Sequence, residues 1–334
     1  MPRQRKSSTK VPATVILGPN DFVTGVRGMD GGGVVLTGTA GGQAPLLYVG
    51  PLPSTTDGQT CTLTPEIAGH TVTSATFYGP DTPRYTPSIA AGNVRAVGSC
   101  VLAQGAAHDH GLFYEGPPAG GGRWSILDVP SDAVGGKTVW NTLCHSTMGD
   151  LVVGNYDIAR AQFSANAFVF DLRTRAWTVF DLGGALTTAY GIWQTQRGGA
   201  DYVICGGIQD GRGINKAYLV RYNSQSGAFS GLTTYSALNV ASLVTHFEGI
   251  TARPGGFNLA ALTARDAALF CTVEVNADGS FGRARWLPYE YPGSMITTGN
   301  TIYETVMMGI FVTPGSATTG SGSATVQSYA ASFG

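Results

Sequence analysis

Residues 150–182, "DLVVGNYDIARAQFSANAFVFDLRTRAWTVFDL", hold three strand-like stretches in a fixed order, and that order returns along the chain. An apolar run ending at Gly comes first, then "NAFVFDL", then the Trp-led "AWTVFDL". The same triplet reads "DYVICGGI", "KAYLVRYN", "GAFSGLTTY" after it, and "NVRAVGSCV", "HGLFYEG", "GRWSILDVP" before it. Further triplets are "GGVVLTGTA", "PLLYVG", "QTCTLTPE" and "GFNLAALTA", "AALFCTVEV", "ARWLPYEYP". Each is preceded by one more strand-like run. Four antiparallel strands repeating about every 50 residues are the signature of a β-propeller blade.

Six first strands can be placed, beginning near Asp21, Val72, Val139, Leu186, Leu243 and Met295. The sixth set has only "TVMMGIFVT" and "ATVQSYAASF" after its first strand. "PATVILG", residues 12–18, belongs to no set and stands before the first one. The expected fold is therefore all-β: a six-bladed propeller of four-stranded antiparallel blades, closed by an N-terminal strand that completes the last blade and removes an open sheet edge. Residues 1–10, "MPRQRKSSTK", read as a disordered basic tail, and 11–334 as one propeller domain.

The Gly-ended second strand and Trp-led fourth strand, as in "FVFDLRTRAWTVFDL", resemble kelch-type repeats over most of the chain, although a double Gly at the end of the second strand occurs only in "CGGI". The resemblance implies a propeller, and kelch-type propellers include both binding modules and enzymes. The arginine triad and SxDxGxxW boxes of six-bladed sialidases are absent from the sequence.

Composition agrees with many short strands and tight turns: 48 Gly among 334 residues, 43% hydrophobic and 12% charged, with no break that would mark a linker. A net charge of −1 lacks the electrostatic footprint of a nucleic-acid binder. No apolar run approaches the ~18 residues of a membrane span. As written the chain has no leader and reads as cytoplasmic; with a leader upstream, its weakly charged, Thr- and Gly-rich composition suits secretion. The five cysteines show no metal spacing and are expected to be buried free thiols.

The first strands carry the candidate site. Aligned on a shared polar–small step, "VRG", "FYG", "CHS", "AYG", "FEG" and "GNT" place Arg27, Tyr78, His145, Tyr190, Glu248 and Asn300 at one position. The residues before them, Val26, Phe77, Cys144, Ala189, Phe247 and Gly299, are small or apolar and turn to the opposite face by strand alternation. The small residue after most of them lets neighbouring backbones crowd at the ring's narrow end. A guanidinium, an imidazole, a carboxylate, two phenols and a carboxamide then converge on the axis. Such mixed titratable groups in a concave site tune one another's pKa values; the competing reading is a polar lining that holds channel water. His246, two residues before Glu248, shares its strand face. Asn155, Tyr156 and Asp157 are expected on a loop over the channel mouth. "HDHG", with His108, Asp109 and His110, has metal-ligand residue types but no ligand spacing, and no metal is assigned.

The sequence thus points to a cofactor-independent enzyme acting on a small organic molecule by acid–base chemistry of the lyase, cyclase, isomerase or hydrolase kind. Glu248 or His145 would move the proton, with Tyr78 and Tyr190 as walls or proton donors. Arg27, Asn300 and His246 would bind substrate, the first two at an anionic or carbonyl oxygen. The alternative is a non-catalytic propeller that binds a glycan or protein. The six unlike ring residues favour the enzyme, since equivalent binding sites would keep them alike. Oligomeric state is not encoded in these patterns.

Overall fold

A computed structural model describes residues 11–158, 165–183, 186–264, 267–314 and 324–334; the basic segment 1–10 lies outside them. Six antiparallel sheets form a ring. Blade one comprises Phe22–Gly28, Val34–Ala40, Ala44–Gly50 and Gln59–Thr62. Blade two comprises Val72–Asp81, Val94–Leu102, Asp109–Gly116 and Arg123–Ile126, and blade three Asn141–Met148, Leu151–Asp157, Asn166–Asp171 and Trp177–Phe180. Blade four is Thr187–Gln194, Asp201–Gln209, Asn215–Asn223 and Ala228–Tyr235, and blade five Thr245–Arg253, Gly256–Thr263, Ala268–Val275 and Phe281–Tyr289. No α-helix occurs among the described residues, so none is long and apolar enough to cross a membrane.

Blade six closes the ring. Its inner strand is split into Ile296–Thr297 and Thr301–Tyr303, both pairing with Val306–Thr313; Thr325–Ser332 follows, and the N-terminal Ala13–Ile16 pairs antiparallel outside it. Ile16 packs with Val23, Leu36 and Tyr48 of blade one and Met308 of blade six. Ser328 adds a polar clasp between the first and last blades: its hydroxyl accepts from the Val23 N–H at 2.9 Å and donates to the Asp21 carbonyl at 2.7 Å.

The core lies in wedges between adjacent sheets rather than in one central mass. Between blades four and five, for example, Val203, Leu219, Phe247, Leu259 and Cys271 form one cluster. All five cysteines are free, and each lies on a strand. Cys144, directly before His145, is wholly buried on the wedge side, where burial raises its thiol pKa; the adjacent imidazole faces the other way.

Candidate active site in the axial cavity

The inner strands share one defect. In blades one to five an extra residue interrupts the register with the second strand: Thr24, Tyr78, His145, Tyr190 and Glu248. A β-bulge of this kind leaves its residue outside the ladder and re-aims the side chain, here into an axial cavity that all five line. In blade six the corresponding Asn300 lies in the break of the inner strand, and it lines the same cavity.

The residue after the bulge explains the repeated Gly. A Cβ on Gly79 would stand 2.6 Å from the His145 carbonyl oxygen of the next blade, and one on Gly249 would stand 2.9 Å from Thr301 Cα. Neighbouring inner strands therefore approach through these glycines. A second small residue opposes the bulge on the second strand: a Cβ on Gly98 or Gly206 would fall 1.8 or 1.9 Å from a carbonyl oxygen of its own inner strand.

Five of the six ring residues expected from the sequence occupy the equivalent position; the first does not. Blade one contributes Thr24, followed by Gly25, and not Arg27, followed by Gly28. Both glycines fit the sequence pattern, but Gly25 meets the next blade's bulge, a Cβ there falling 2.2 Å from the Tyr78 carbonyl oxygen. Thr24 donates to the Phe77 carbonyl at 2.5 Å. The sequence signal for Thr24 was present, an apolar–polar–Gly step in "VTG".

Arg27 still lines the cavity, further along its strand. Its side chain is 5% exposed and reaches across to blade four, where Nη2 donates to the Ile192 carbonyl at 2.9 Å and the guanidinium lies 5.6 Å from the Trp193 ring centroid. The same Nη2 approaches Ser146 Oγ of blade three at 3.4 Å.

Behind Arg27 the segment following Asp81 crosses the axis. Thr82 Oγ1 donates to the Gly28 carbonyl at 2.7 Å, and Arg84 Nη1 to the Met29 carbonyl at 3.2 Å. Gly149 N–H donates to Thr86 Oγ1 at 2.7 Å, and Tyr85 meets Trp193 edge-on at 5.4 Å. Residues 82–86 are thus tied to blades one, three and four. Buried Asp81 holds their turn, accepting from the Thr82 N–H and the Thr86 hydroxyl. Burial raises its pKa to about 6 against the opposing effects of Thr86, Arg27 and Arg95. The cavity has a volume of about 240 Å³, and residues 81–86 do not themselves line it.

Tyr78, His145 and Tyr190 line the cavity and begin an aromatic arc that His246, which is not among the lining residues, extends. Tyr78 and His145 have centroids 4.9 Å apart, His145 meets Tyr190 edge-on at 4.6 Å, and Tyr190 lies 4.9 Å from His246. The arc ends on Glu248, whose Oε1 lies 2.5 Å from His246 Nε2. Burial pulls the His246 pKa down, but the charge and hydrogen bond of Glu248 outweigh it and leave it above the ordinary histidine value. His145 has no such hydrogen bond: burial lowers its pKa to about 4, against the attraction of Glu248, so it is neutral at physiological pH. Burial raises Tyr78, opposed by the Ser99 hydrogen bond, and raises Tyr190, reinforced by Glu248, so both phenols keep their protons. Asn300 Nδ2 donates to the Val23 carbonyl at 2.8 Å, which leaves Oδ1 without a hydrogen bond among the described residues. The site therefore combines the hydrogen-bonded His246–Glu248 pair with an imidazole and two phenols that are neutral at neutral pH.

One other expectation is corrected. Asn155, Tyr156 and Asp157 do not form a loop over the mouth: the second strand of blade three runs through Gly154 to Asp157, and all three are buried. Asn155 Oδ1 accepts from the Ala189 N–H at 2.8 Å, tying blades three and four. The "HDHG" residues gather no metal-ligand set among the described residues. His110 Nδ1 lies 2.7 Å from Asp128 Oδ2, and His108 packs on His110 and Trp140.

No family model and no curated protein matches this chain. Among solved structures, a subtype N11 neuraminidase-like protein of A/flat-faced bat/Peru/033/2010 (H18N11) is similar at 10% identity, covering 95% of this chain and 90% of that one, with a TM-score of 0.48. The WD40 domain of SCAP from fission yeast has 7% identity, coverage of 89% and 73%, and a TM-score of 0.32. A GH62 hydrolase in complex with xylotriose has 10% identity, coverage of 72% and 88%, and a TM-score of 0.32. Similarity this distant carries no argument about chemistry; the protein is classed by its own strand topology as a six-bladed β-propeller.

Proposed function

We propose that the axial cavity is the active site of an enzyme that moves a proton on a small organic molecule, within the lyase, cyclase, isomerase or hydrolase range, using protein side chains alone. The observation that carries this reading is the 2.5 Å bond from His246 to Glu248, the carboxylate that lines the axial cavity with Tyr78, His145 and Tyr190. Proton abstraction needs an acceptor held within hydrogen-bond reach of the proton it takes. Glu248 is that acceptor: His246 fixes Oε1, and Oε2 makes no hydrogen bond among the described residues. The neutral imidazole of His145 and the phenols of Tyr78 and Tyr190 supply donors to an oxygen that gains charge. Asn300 Oδ1 accepts a hydrogen bond from a substrate hydroxyl or amine, a different role from the oxygen-holding one expected from the sequence. The kelch-type resemblance remains one of strand pattern and contributes nothing to this assignment.

The test is a thermal-shift screen of small metabolites against the wild type, followed by NMR detection of product for each stabilising compound. Stabilisation abolished by Tyr190→Ala, together with turnover lost and binding kept in Glu248→Gln, supports the reading. Ligands that stabilise both variants as well as they stabilise wild type place binding outside the cavity and defeat it. Cavity binding without turnover in the wild type makes the propeller a binding module.

A further inference from the structure

Arg27 is the cation that lines the cavity, and the proton-transfer reading gives it no directly bonded anion. Its bonds go to neutral oxygens: its own Val26 carbonyl at 3.3 Å from Nη1, with Ser146 Oγ at 3.4 Å and the Ile192 carbonyl at 2.9 Å from Nη2. Among the described residues Nε has no partner, and a guanidinium carries more donors than these bonds use. Among the described residues no carboxylate comes within ion-pair distance of it. Asp81 is near enough for its charge to be felt, but its oxygens are taken by the Thr82 N–H and the Thr86 hydroxyl. A cation held this deep without a directly bonded anion is costly, and the face of Trp193 offsets only part of that cost.

We infer that the molecule bound in this cavity carries a carboxylate that docks on Arg27, with its unsaturated or ring portion against Tyr78, His145 and Tyr190. This inference rests on the cavity being the ligand site. A planar carboxylate matches the guanidinium fork, gains charge-assisted hydrogen bonds and neutralises the buried cation. Glu248, at another point of the same wall, limits the ligand's charge: a dianion would meet its repulsion, whereas a monoanion can set its charge on Arg27 and its reacting carbon or hydroxyl towards Glu248. The substrate class is thus a small monocarboxylic acid with a flat or cyclic body.

Benzoate and benzamide, matched in shape and different in charge, test this by calorimetric titration at neutral pH. The expected result is benzoate binding about tenfold or more tightly than benzamide in the wild type, with that advantage lost in Arg27→Gln. Should Arg27→Gln fail to fold, Arg27→Lys, which keeps the charge and loses the fork, should reduce the advantage. Benzamide binding as tightly as benzoate, with both weakened by Tyr190→Ala, overturns the carboxylate inference and leaves the cavity reading intact. Binding of neither probe also overturns it, and the metabolite screen then decides the cavity reading separately.

Discussion

Nε2 of His246 and Oε1 of Glu248 stand 2.5 Å apart on one inner strand, two positions from each other, with the bulge at Glu248 turning the carboxylate towards the axis. Glu248 holds the His246 pKa above its ordinary value, and its charge also acts on His145 and Tyr190 across the cavity. Burial sets the direction at Tyr78, His145 and Tyr190, and only at His246 does the carboxylate outweigh it.

Glu248→Gln keeps the side chain's size and removes the charge. The His246 pKa should fall below that in the wild type, because burial is then unopposed, and an NMR pH titration of the imidazole signals reads this directly. Once a substrate is in hand, turnover should drop roughly 10²-fold or more with affinity largely retained. An unmoved His246 titration contradicts the pairing.

His145 should make stability depend on pH. Its folded pKa of about 4 lies below the ordinary value of 6.5, so between these the unfolded chain binds the extra proton. Its contribution is lost as pH falls through that window. Urea melts should show wild type losing stability relative to His145→Asn from about pH 6.5 to 4, with no further change below.

Asp81 carries the opposite sign. With a folded pKa of about 6 against 3.8, the native state holds the extra proton between these values, and stability declines as pH rises through them. Relative to Asp81→Asn, wild type should weaken from about pH 4 to 6 and then level off. A flat difference would show that the buried carboxyl is already ionised in that range.

The packing of the inner strands can be tested at glycines. Gly206→Ala places a methyl 1.9 Å from the Thr188 carbonyl oxygen and should cost about 3 kcal/mol or more. Gly211→Ala in the same blade meets nothing within 4 Å and should stay within about 0.5 kcal/mol of wild type. Chemical denaturation of the two variants makes the comparison.

Ring closure predicts unequal truncations. Removing residues 1–10 leaves Ala13–Ile16 on Thr325–Ser332, whereas removing 1–18 strips that strand and the buried Ile16 and bares a sheet edge. The longer deletion should melt lower or aggregate, and equal melting temperatures would argue against closure.

The architecture was legible because the blades repeat the same local demands, period-two alternation and in most blades a Gly where the second strand meets the bulge, and because a spare strand precedes the series whose last set is one strand short. His246 and Glu248 were legible as a pair because strand alternation alone puts residues two apart on one face. The register of blade one was not, since "TGVRG" offers a Gly after both Thr24 and Arg27. What chose between them was the approach of the next blade's backbone to Gly25, a contact between residues more than 50 positions apart. The span of Arg27 to Ile192, the crossing of the axis by residues 82–86 and the stacking from Tyr78 to His246 are likewise long-range. Sequence period fixes what each strand presents; only closing the ring brings those presentations within hydrogen-bond distance, because that distance is set by the packing of every wedge between the blades.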